Sequence, residues 1–129
     1  MSEIKVSHQS TALVLNTETL GIEITAHGET WRSEKTYQPH FYVNDKKIYF
    51  HQAGKLEHFS WNTGVGCGIR SVFSGFHLSG KEDTLSFQTV IWIEYATEDI
   101  FFELNPLTES EQCIGNFYWP GQMEFRKKT

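Results

Sequence analysis

The amino-acid sequence predicts an all-β protein built as an antiparallel β-sandwich; an antiparallel β-barrel is the alternative architecture. Apolar and polar residues alternate with a period of two along most of the chain, as they do in half-buried strands. No stretch of ten residues or more has the 3.6-residue period of an amphipathic helix. Turn segments separate the strand-like stretches at intervals of roughly 8–12 residues, a spacing typical of sandwiches and barrels.

Two hairpins are predicted in the first half of the chain. The first joins "TALVLN" to "TLGIEITA" around Thr17 and Glu18. Its second strand places Leu20, Ile22, Ile24 and Ala26 on one side, the side expected to face a core. The second hairpin joins "HFYV" to "IYF" through the turn "NDKK", whose Asn and Asp favour tight turns.

The second half of the chain contains four more predicted strands. "KLEHFSW" and "IRSVFSGF" flank the glycine-rich segment "NTGVGCG". "TLSFQTVIWIEY" and "IFFEL" form the clearest hairpin, because alternation is maintained on both sides of the turn "ATED". Trp92 alternates out of phase with the apolar face of its strand, so it is expected to face a second layer or a partner.

Composition limits the classes of function. The chain has 129 residues and a net charge of -5, without the basic patch that a nucleic-acid-binding protein needs. No apolar run approaches the ~20 residues of a membrane helix, and the first seven residues lack the apolar region of a signal peptide. Of the two cysteines, Cys67 and Cys113, both are expected to be free thiols. These features predict one domain over residues 1–129, located in the cytoplasm, with no nucleic-acid or membrane partner.

The residues predict no complete active site. The loop "GVGCG" resembles a phosphate-binding loop, but a strand-like segment follows it where that motif needs a helix, so glycines that relieve crowding at a bulge or bend are favoured. The acidic pairs 82–83 and 98–99 fall in turns and are expected to be solvated. No serine stands in an activating motif, and no histidine pair has metal-ligand spacing. No metal or cofactor is therefore predicted. The six histidines are His8, His27, His40, His51, His58 and His77.

Aromatic residues are the strongest functional signal, since they make up 15% of the chain. Exposed Trp and Tyr rings can stack on the apolar C–H patches of sugars, and the same residues fill cores. The segment "NFYWPGQMEF", residues 116–125, concentrates this apolar surface beside the end of the chain. It is interpreted as a final strand docked in a core or as a junction with a further domain.

Three motifs in order resemble the N-terminal β-domain of glycoside hydrolase family 31. They are "GIRSVFSGF", "LSFQTVIWIEYATEDIFFELNPLTE" and "FYWPGQMEF", and the similarity covers about residues 60–125. The resemblance implies a sandwich of the galactose-mutarotase type that precedes a (β/α)8 catalytic barrel in a retaining α-glycosidase. In that family both catalytic aspartates lie in the barrel, so no catalytic residue is expected among these 129 residues. Gln122 stands where the family usually has proline, and the "YGLGE" signature is absent.

The resemblance implies two sets of functional residues. Trp61, Asn62 and Arg70, near the glycine-rich turn, are the candidates for a part in shaping the sugar pocket of the parent enzyme. The candidates for contact with the downstream barrel are Tyr118, Trp119, Pro120 and Phe125. Two alternatives stay open, a stand-alone carbohydrate-binding sandwich and a small β-barrel enzyme or ligand carrier.

Overall fold

The computed structural model of the protein describes residues 3–33, 38–76, 85–108, 114–120 and 123–127; for 114–116 and 123–127 the description covers the backbone. These residues form twelve β-strands and one short 3₁₀ turn, Phe50–Gln52. The strands are β1 Glu3–His8, β2 Thr11–Asn16, β3 Ile22–Ala26, β4 Glu29–Ser33, β5 His40–Val43, β6 Lys46–Tyr49, β7 Lys55–Asn62, β8 Gly66–Ser74, β9 Phe87–Glu94, β10 Ile100–Pro106, β11 Ile114–Tyr118 and β12 Met123–Lys127.

The strands pair into three antiparallel sheets. Their orders are β1-β2-β3-β4-β12, β10-β9-β8-β7 and β11-β5-β6. The prediction of an all-β antiparallel sandwich is confirmed. The predicted hairpins are confirmed as β2–β3, β5–β6 and β9–β10. In the second hairpin Asn44 and Asp45 both have positive φ, 49° and 66°, as a two-residue turn between twisted strands requires.

The four-stranded sheet forms one layer of the sandwich, and its inner face packs against a different sheet at each end. At one end, Ile69 and Ile93 pack against Leu13 and Ile24 of the five-stranded sheet. At the other end, phenylalanine rings fill the space under the three-stranded sheet. The fully buried rings there are Phe41, Phe50, Phe73 and Phe87. Aromatic rings bury a large area each, so this cluster compensates for a modest content of aliphatic residues.

Two strands, β1 and β4, are not predicted from the sequence. The apolar positions of β1 are only half-buried, because this strand lies at the edge of its sheet. No residue of β4 is buried, so its alternation carries little apolar contrast. The predicted final strand "NFYWPGQMEF" is in fact two strands, β11 and β12, in two different sheets, with a cis Trp119–Pro120 peptide between them. None of the described residues forms a helix long and apolar enough to cross a membrane.

Candidate functional site

The outer face of the four-stranded sheet carries a row of aromatic residues. In the strand register Phe101 lies opposite Trp92, Trp92 opposite Gly68, and Gly68 opposite Trp61. The side chain of Trp92 points away from the core, because it alternates with the buried positions of β9. Phe101 and Trp61 lie on the same face, because directly opposite residues of paired strands share a face. Together with Phe59, two residues before Trp61, they form a surface that we call the aromatic face. Phe59 is 41% exposed and Phe101 is 39% exposed.

Two glycines make room for the central tryptophan of the aromatic face. A Cβ atom on Gly68 would lie 2.5 Å from the Trp92 Cβ and 2.9 Å from Cζ2 of Trp61. A Cβ atom on Gly66 would lie 2.9 Å from Cε3 of the same Trp92 ring. The predicted role of the glycine-rich segment in relieving crowding is therefore confirmed. The glycines were expected at a bulge or bend between two strands, but Gly66 and Gly68 both lie within strand β8.

The rings of this face cover one another. Trp92 and Phe101 are stacked at 4.8 Å between centroids, and Trp61 is tilted by 45° against Trp92 at 6.0 Å. The indole Nε1 of Trp92 donates a hydrogen bond to the Glu103 carboxylate at 2.5 Å. Stacked rings present edges rather than open faces, so they are better suited to packing against an apolar surface than to stacking on a sugar ring.

Arg70 lies on the same face, beside Phe59 on the neighbouring strand. Its guanidinium is 5.0 Å from the centre of the Phe59 ring and donates a hydrogen bond to Oε1 of Gln88 at 3.1 Å. The guanidinium keeps further N–H donors beyond the one used for Gln88. Arg70 can therefore hold the orientation of Phe59 and still bind an acceptor on a partner.

Asn62 lies apart from Arg70, at the end of β7. Its side-chain oxygen accepts a hydrogen bond from the Tyr95 hydroxyl at 2.7 Å. Together with Trp61 it lines an open groove of about 340 Å³ between β7 and the first strand. Trp61 and Arg70 thus lie on the same face of the sheet, whereas the Asn62 side chain belongs to a different surface. The substrate-binding role of all three stays a prediction.

Two further contacts lie beside Asn62. The Tyr95 ring stacks on His8 with centroids 4.0 Å apart, and the Cys67 thiol lies 3.9 Å from the Ser7 carbonyl oxygen. Desolvation raises the pKa of the Tyr95 hydroxyl above its usual value, and the neighbouring Cys67 raises it further. The hydroxyl therefore stays protonated at neutral pH and remains a donor to Asn62.

Three of the four predicted domain-contact residues lie at or directly after the end of β11 in the three-stranded sheet, whereas Phe125 lies on β12 in the five-stranded sheet. Tyr118 is 43% exposed and its ring stacks on His40 at 4.8 Å. Trp119 is half-buried, packs against both core clusters and touches the Phe102 ring edge-on at 5.8 Å. Pro120 is also half-buried. Phe125 pairs with Trp31 through its backbone, and its side chain lies outside the description.

One histidine–serine pair is close enough for proton transfer but is not accessible. Nδ1 of His58 lies 2.7 Å from the Ser71 hydroxyl, which belongs to a residue only 3% exposed. Burial lowers the pKa of His58, and its Nε2 atom is buried with no hydrogen-bond partner among the described residues. No substrate can reach the serine, so the pair is structural. Within the described residues no three metal-ligating side chains converge.

Sequence reasoning missed several members of these surfaces. Phe59 shares a strand face with Trp61, which the period-two pattern of "HFSWN" already indicates. Phe101 and Glu103 meet Trp92 only through the register of β9 and β10. His8 and Tyr95 meet near Asn62 although they are far apart in sequence, and no local pattern indicates this contact.

The geometry defines an all-β sandwich with an aromatic outer face, and comparison with known proteins adds a class of protein. No protein-family model matches the sequence, and no curated protein matches it. Among solved structures, the fold matches a domain of a glycoside hydrolase, alpha-N-acetylgalactosaminidase NagBb from Bifidobacterium bifidum.

Three structures of that enzyme are similar to nearly the whole chain. The Gal-NHAc-DNJ complex has 31% identity and a TM-score of 0.84, covering 94% of this chain and 19% of the other. The GalNAc complex has 31% identity and a TM-score of 0.82, covering 93% of this chain and 18% of the other. The ligand-free enzyme has 29% identity and a TM-score of 0.81, with coverage of 95% and 19%. The chain therefore spans less than a fifth of the enzyme that it resembles.

These similarities confirm the predicted likeness to a glycosidase domain at the level of fold. Membership of family 31, the retaining mechanism, the boundaries of the domain and the location of the protein stay predictions.

Proposed function

We propose that this chain is the non-catalytic N-terminal domain of a retaining α-glycosidase similar to glycoside hydrolase family 31. One observation carries the proposal: 93% or more of the chain superimposes on less than a fifth of a glycosidase. A domain that matches so small a share of an enzyme is suited to an accessory role.

The aromatic face supports a docking role. Central aromatic rings flanked by hydrogen-bonded polar groups are typical of interface centres, where Trp, Tyr and Arg carry much of the binding energy. Phe59, Trp61, Trp92 and Phe101 supply the rings, and Arg70 is the flanking cation. We propose that this face, together with Tyr118 and Trp119, packs on a catalytic barrel and helps to shape its sugar pocket.

The chemistry of the whole enzyme follows from the proposal. In a retaining glycosidase one carboxylate attacks the anomeric carbon, a second protonates the leaving oxygen, and water then releases the sugar. Both carboxylates are proposed to lie in the barrel. The proposed substrate class is an α-linked N-acetylgalactosamine, because the structurally similar enzyme is an alpha-N-acetylgalactosaminidase. The buried free thiol of Cys67 supports a cytoplasmic location, where thiols stay reduced.

The coding DNA on both sides of these 129 codons tests the proposal. An open frame that continues past Thr129 into alternating strand and helix patterns is expected, and a stop codon directly after Thr129 would overturn the proposal. The protein encoded by the longer frame is expected to hydrolyse 4-nitrophenyl α-N-acetylgalactosaminide, and the 129-residue chain alone is not. Hydrolysis by the isolated chain would contradict the non-catalytic role.

Changing one exposed ring tests the docking face in the longer protein. Phe101→Ser removes a 39% exposed ring from the edge of the aromatic face. We expect weaker association of the two domains. In calorimetry, the sandwich should then unfold in a separate transition at a lower temperature than in the unchanged protein. Val65→Ser, at a 70% exposed site outside the face, is the matched control and should leave the transition unchanged.

A further inference from the structure

Strand β7 forms an open edge of the four-stranded sheet. It pairs with β8 over its whole length, and among the described strands none pairs with its other side. Phe59 and the next residue, Ser60, are both exposed although their side chains point to opposite faces of the sheet. Neither face is therefore covered at this point, and the edge is accessible to another strand.

The backbone groups of three residues in β7 point toward this open edge. Thr63, the residue after β7, donates its N–H to the Gly66 carbonyl at 2.8 Å. Along an antiparallel strand, residues that hydrogen-bond to a given partner strand alternate with residues that do not. Every second residue before Thr63, beginning with Trp61, therefore bonds to β8. The residues whose N–H and C=O groups face the open edge are His58, Ser60 and Asn62.

The second half of β7, residues 58–62, has none of the features that protect the other edges of the described sheets. Charged side chains, proline and bulges on an edge strand oppose its pairing with a further strand. Strand β11 has a break in its register between Ile114 and Phe117. The other edge strands contain charged residues or proline: Lys5 in β1, Lys46 and Lys47 in β6, Glu103 and Pro106 in β10, and Glu124, Arg126 and Lys127 in β12. In β7 the Lys and Glu residues lie before this segment, and burial lowers the pKa of His58, so this residue is neutral at neutral pH.

The segment 58–62 is complementary to itself when two copies of β7 run antiparallel around a twofold axis at Ser60. Ser60 then lies opposite Ser60 of the partner copy, and His58 lies opposite Asn62 of the partner copy. Because the backbone groups of these residues face the open edge, they form hydrogen-bonded pairs with roughly six backbone hydrogen bonds. Phe59 lies opposite Trp61 of the partner copy in a non-hydrogen-bonded pair, where side chains are closest, and aromatic pairs of this kind stabilise a sheet.

We infer that β7 pairs with β7 of a second copy of this chain, so that two four-stranded sheets join into one eight-stranded sheet. In this register Lys55 and Glu57 lie opposite residues 65 and 63 of the partner copy, neither of which is charged. A shift by two residues in one direction would place Glu57 opposite Trp61, and a shift in the other direction would leave His58 opposite the loop after β7. The inference does not depend on the proposed role in a glycosidase.

Sedimentation equilibrium of the 129-residue chain tests the inference. A single pair of strands makes a small interface, so we expect a monomer–dimer equilibrium with a dissociation constant on the order of 0.1 mM. The chain is measured at concentrations below and above that value. A monomer at every concentration would overturn the inference.

Hydrogen exchange followed by nuclear magnetic resonance locates the interface. As the concentration rises, the amides of His58, Ser60 and Asn62 should become protected from exchange. The amides of Phe59 and Trp61 should be protected at every concentration, because they bond to β8. Protection of the first three amides that does not change with concentration would mean that a segment of the same chain covers the edge, and would overturn the inference.

Charges at the twofold axis test the register. Ser60→Lys places two ammonium groups opposite each other and Ser60→Glu places two carboxylates there, so each variant alone should dimerise about fivefold more weakly. An equimolar mixture of the two variants should dimerise more tightly than either alone, because a lysine then lies opposite a glutamate. The Ser60 side chain is exposed, so both variants should fold as the parent chain does. Ser10→Lys makes the same change at an exposed turn outside β7 and should leave dimerisation unchanged. Equal effects of Ser60→Lys and Ser10→Lys, or a mixture that dimerises no better than its components, would overturn the inference.

Phe101→Ser distinguishes pairing at the edge from association through the aromatic face. Phe101 lies on β10, at the opposite edge of the four-stranded sheet, so pairing of two β7 strands does not use it. Dimerisation of this variant should equal that of the parent chain, and its loss would overturn the inference. A chain that stays monomeric leaves the domain proposal intact, and a stop codon after Thr129 leaves the edge of β7 intact, so the two failures are distinguishable.

Discussion

Replacement of Gly68 by alanine tests whether the aromatic face requires a residue without a side chain at this position. The new Cβ would lie 2.5 Å from the Ile91 carbonyl oxygen and 2.5 Å from the Trp92 Cβ. Neither atom is the far end of a flexible side chain, so the strands themselves have to separate. Overpacking of this kind costs up to about 3 kcal/mol, and alanine recovers about 0.4–1 kcal/mol through the lower entropy of the unfolded chain. The net expected loss is about 2 kcal/mol.

Urea denaturation followed by tryptophan fluorescence measures this loss directly, because Trp61 and Trp92 both contact the substituted site. In a thermal melt we expect a decrease of roughly 6–8 °C. Gly64→Ala is the matched control: a Cβ there meets nothing within 4 Å, and we expect stability within about 0.5 kcal/mol of the parent chain. Equal stability of Gly68→Ala and Gly64→Ala would refute the argument that Gly68 makes space for the tryptophans.

Two further predictions concern the interior. Burial lowers the pKa of His58 in the folded protein below the value of about 6.5 that it has in the unfolded chain. As the pH falls through about 6.5, His58 of the unfolded chain therefore takes up a proton before His58 of the folded protein does. The free energy of unfolding should decrease from that pH until the folded pKa is reached. His58→Gln should remove this part of the pH dependence in denaturation curves, whereas His27→Gln, at an exposed position, should preserve it. The prediction would be contradicted if the free energy of unfolding of the parent chain did not change with pH in this range. Phe41→Ala, at a position with 0% exposure, should lower the free energy of unfolding in urea by about 3–5 kcal/mol. Phe101→Ala should lower it by less than about 1 kcal/mol. Similar losses in the two variants would mean that the aromatic core is wrongly placed.

The candidate surfaces could be predicted only in part. The pattern of β7 already places Phe59 and Trp61 on one face, and the phase of Trp92 already places it away from the core. The partners of these residues depend on which strands pair and in which register. Trp61 therefore meets Trp92 across Gly68, and Asn62 meets Tyr95, through contacts between residues that are more than thirty positions apart.

The sequence by itself determined the all-β class and the predicted hairpins, because alternation and turn residues act over a few neighbouring positions. Only the tertiary structure decided that "NFYWPGQMEF" divides into two strands of different sheets, since strand pairing depends on distant partners such as β4 and β5. Tertiary structure also decided that Arg70 and Asn62 lie on separate surfaces. The physical reason is that side-chain alternation specifies two faces for each strand, whereas the packing of three sheets decides what each face meets.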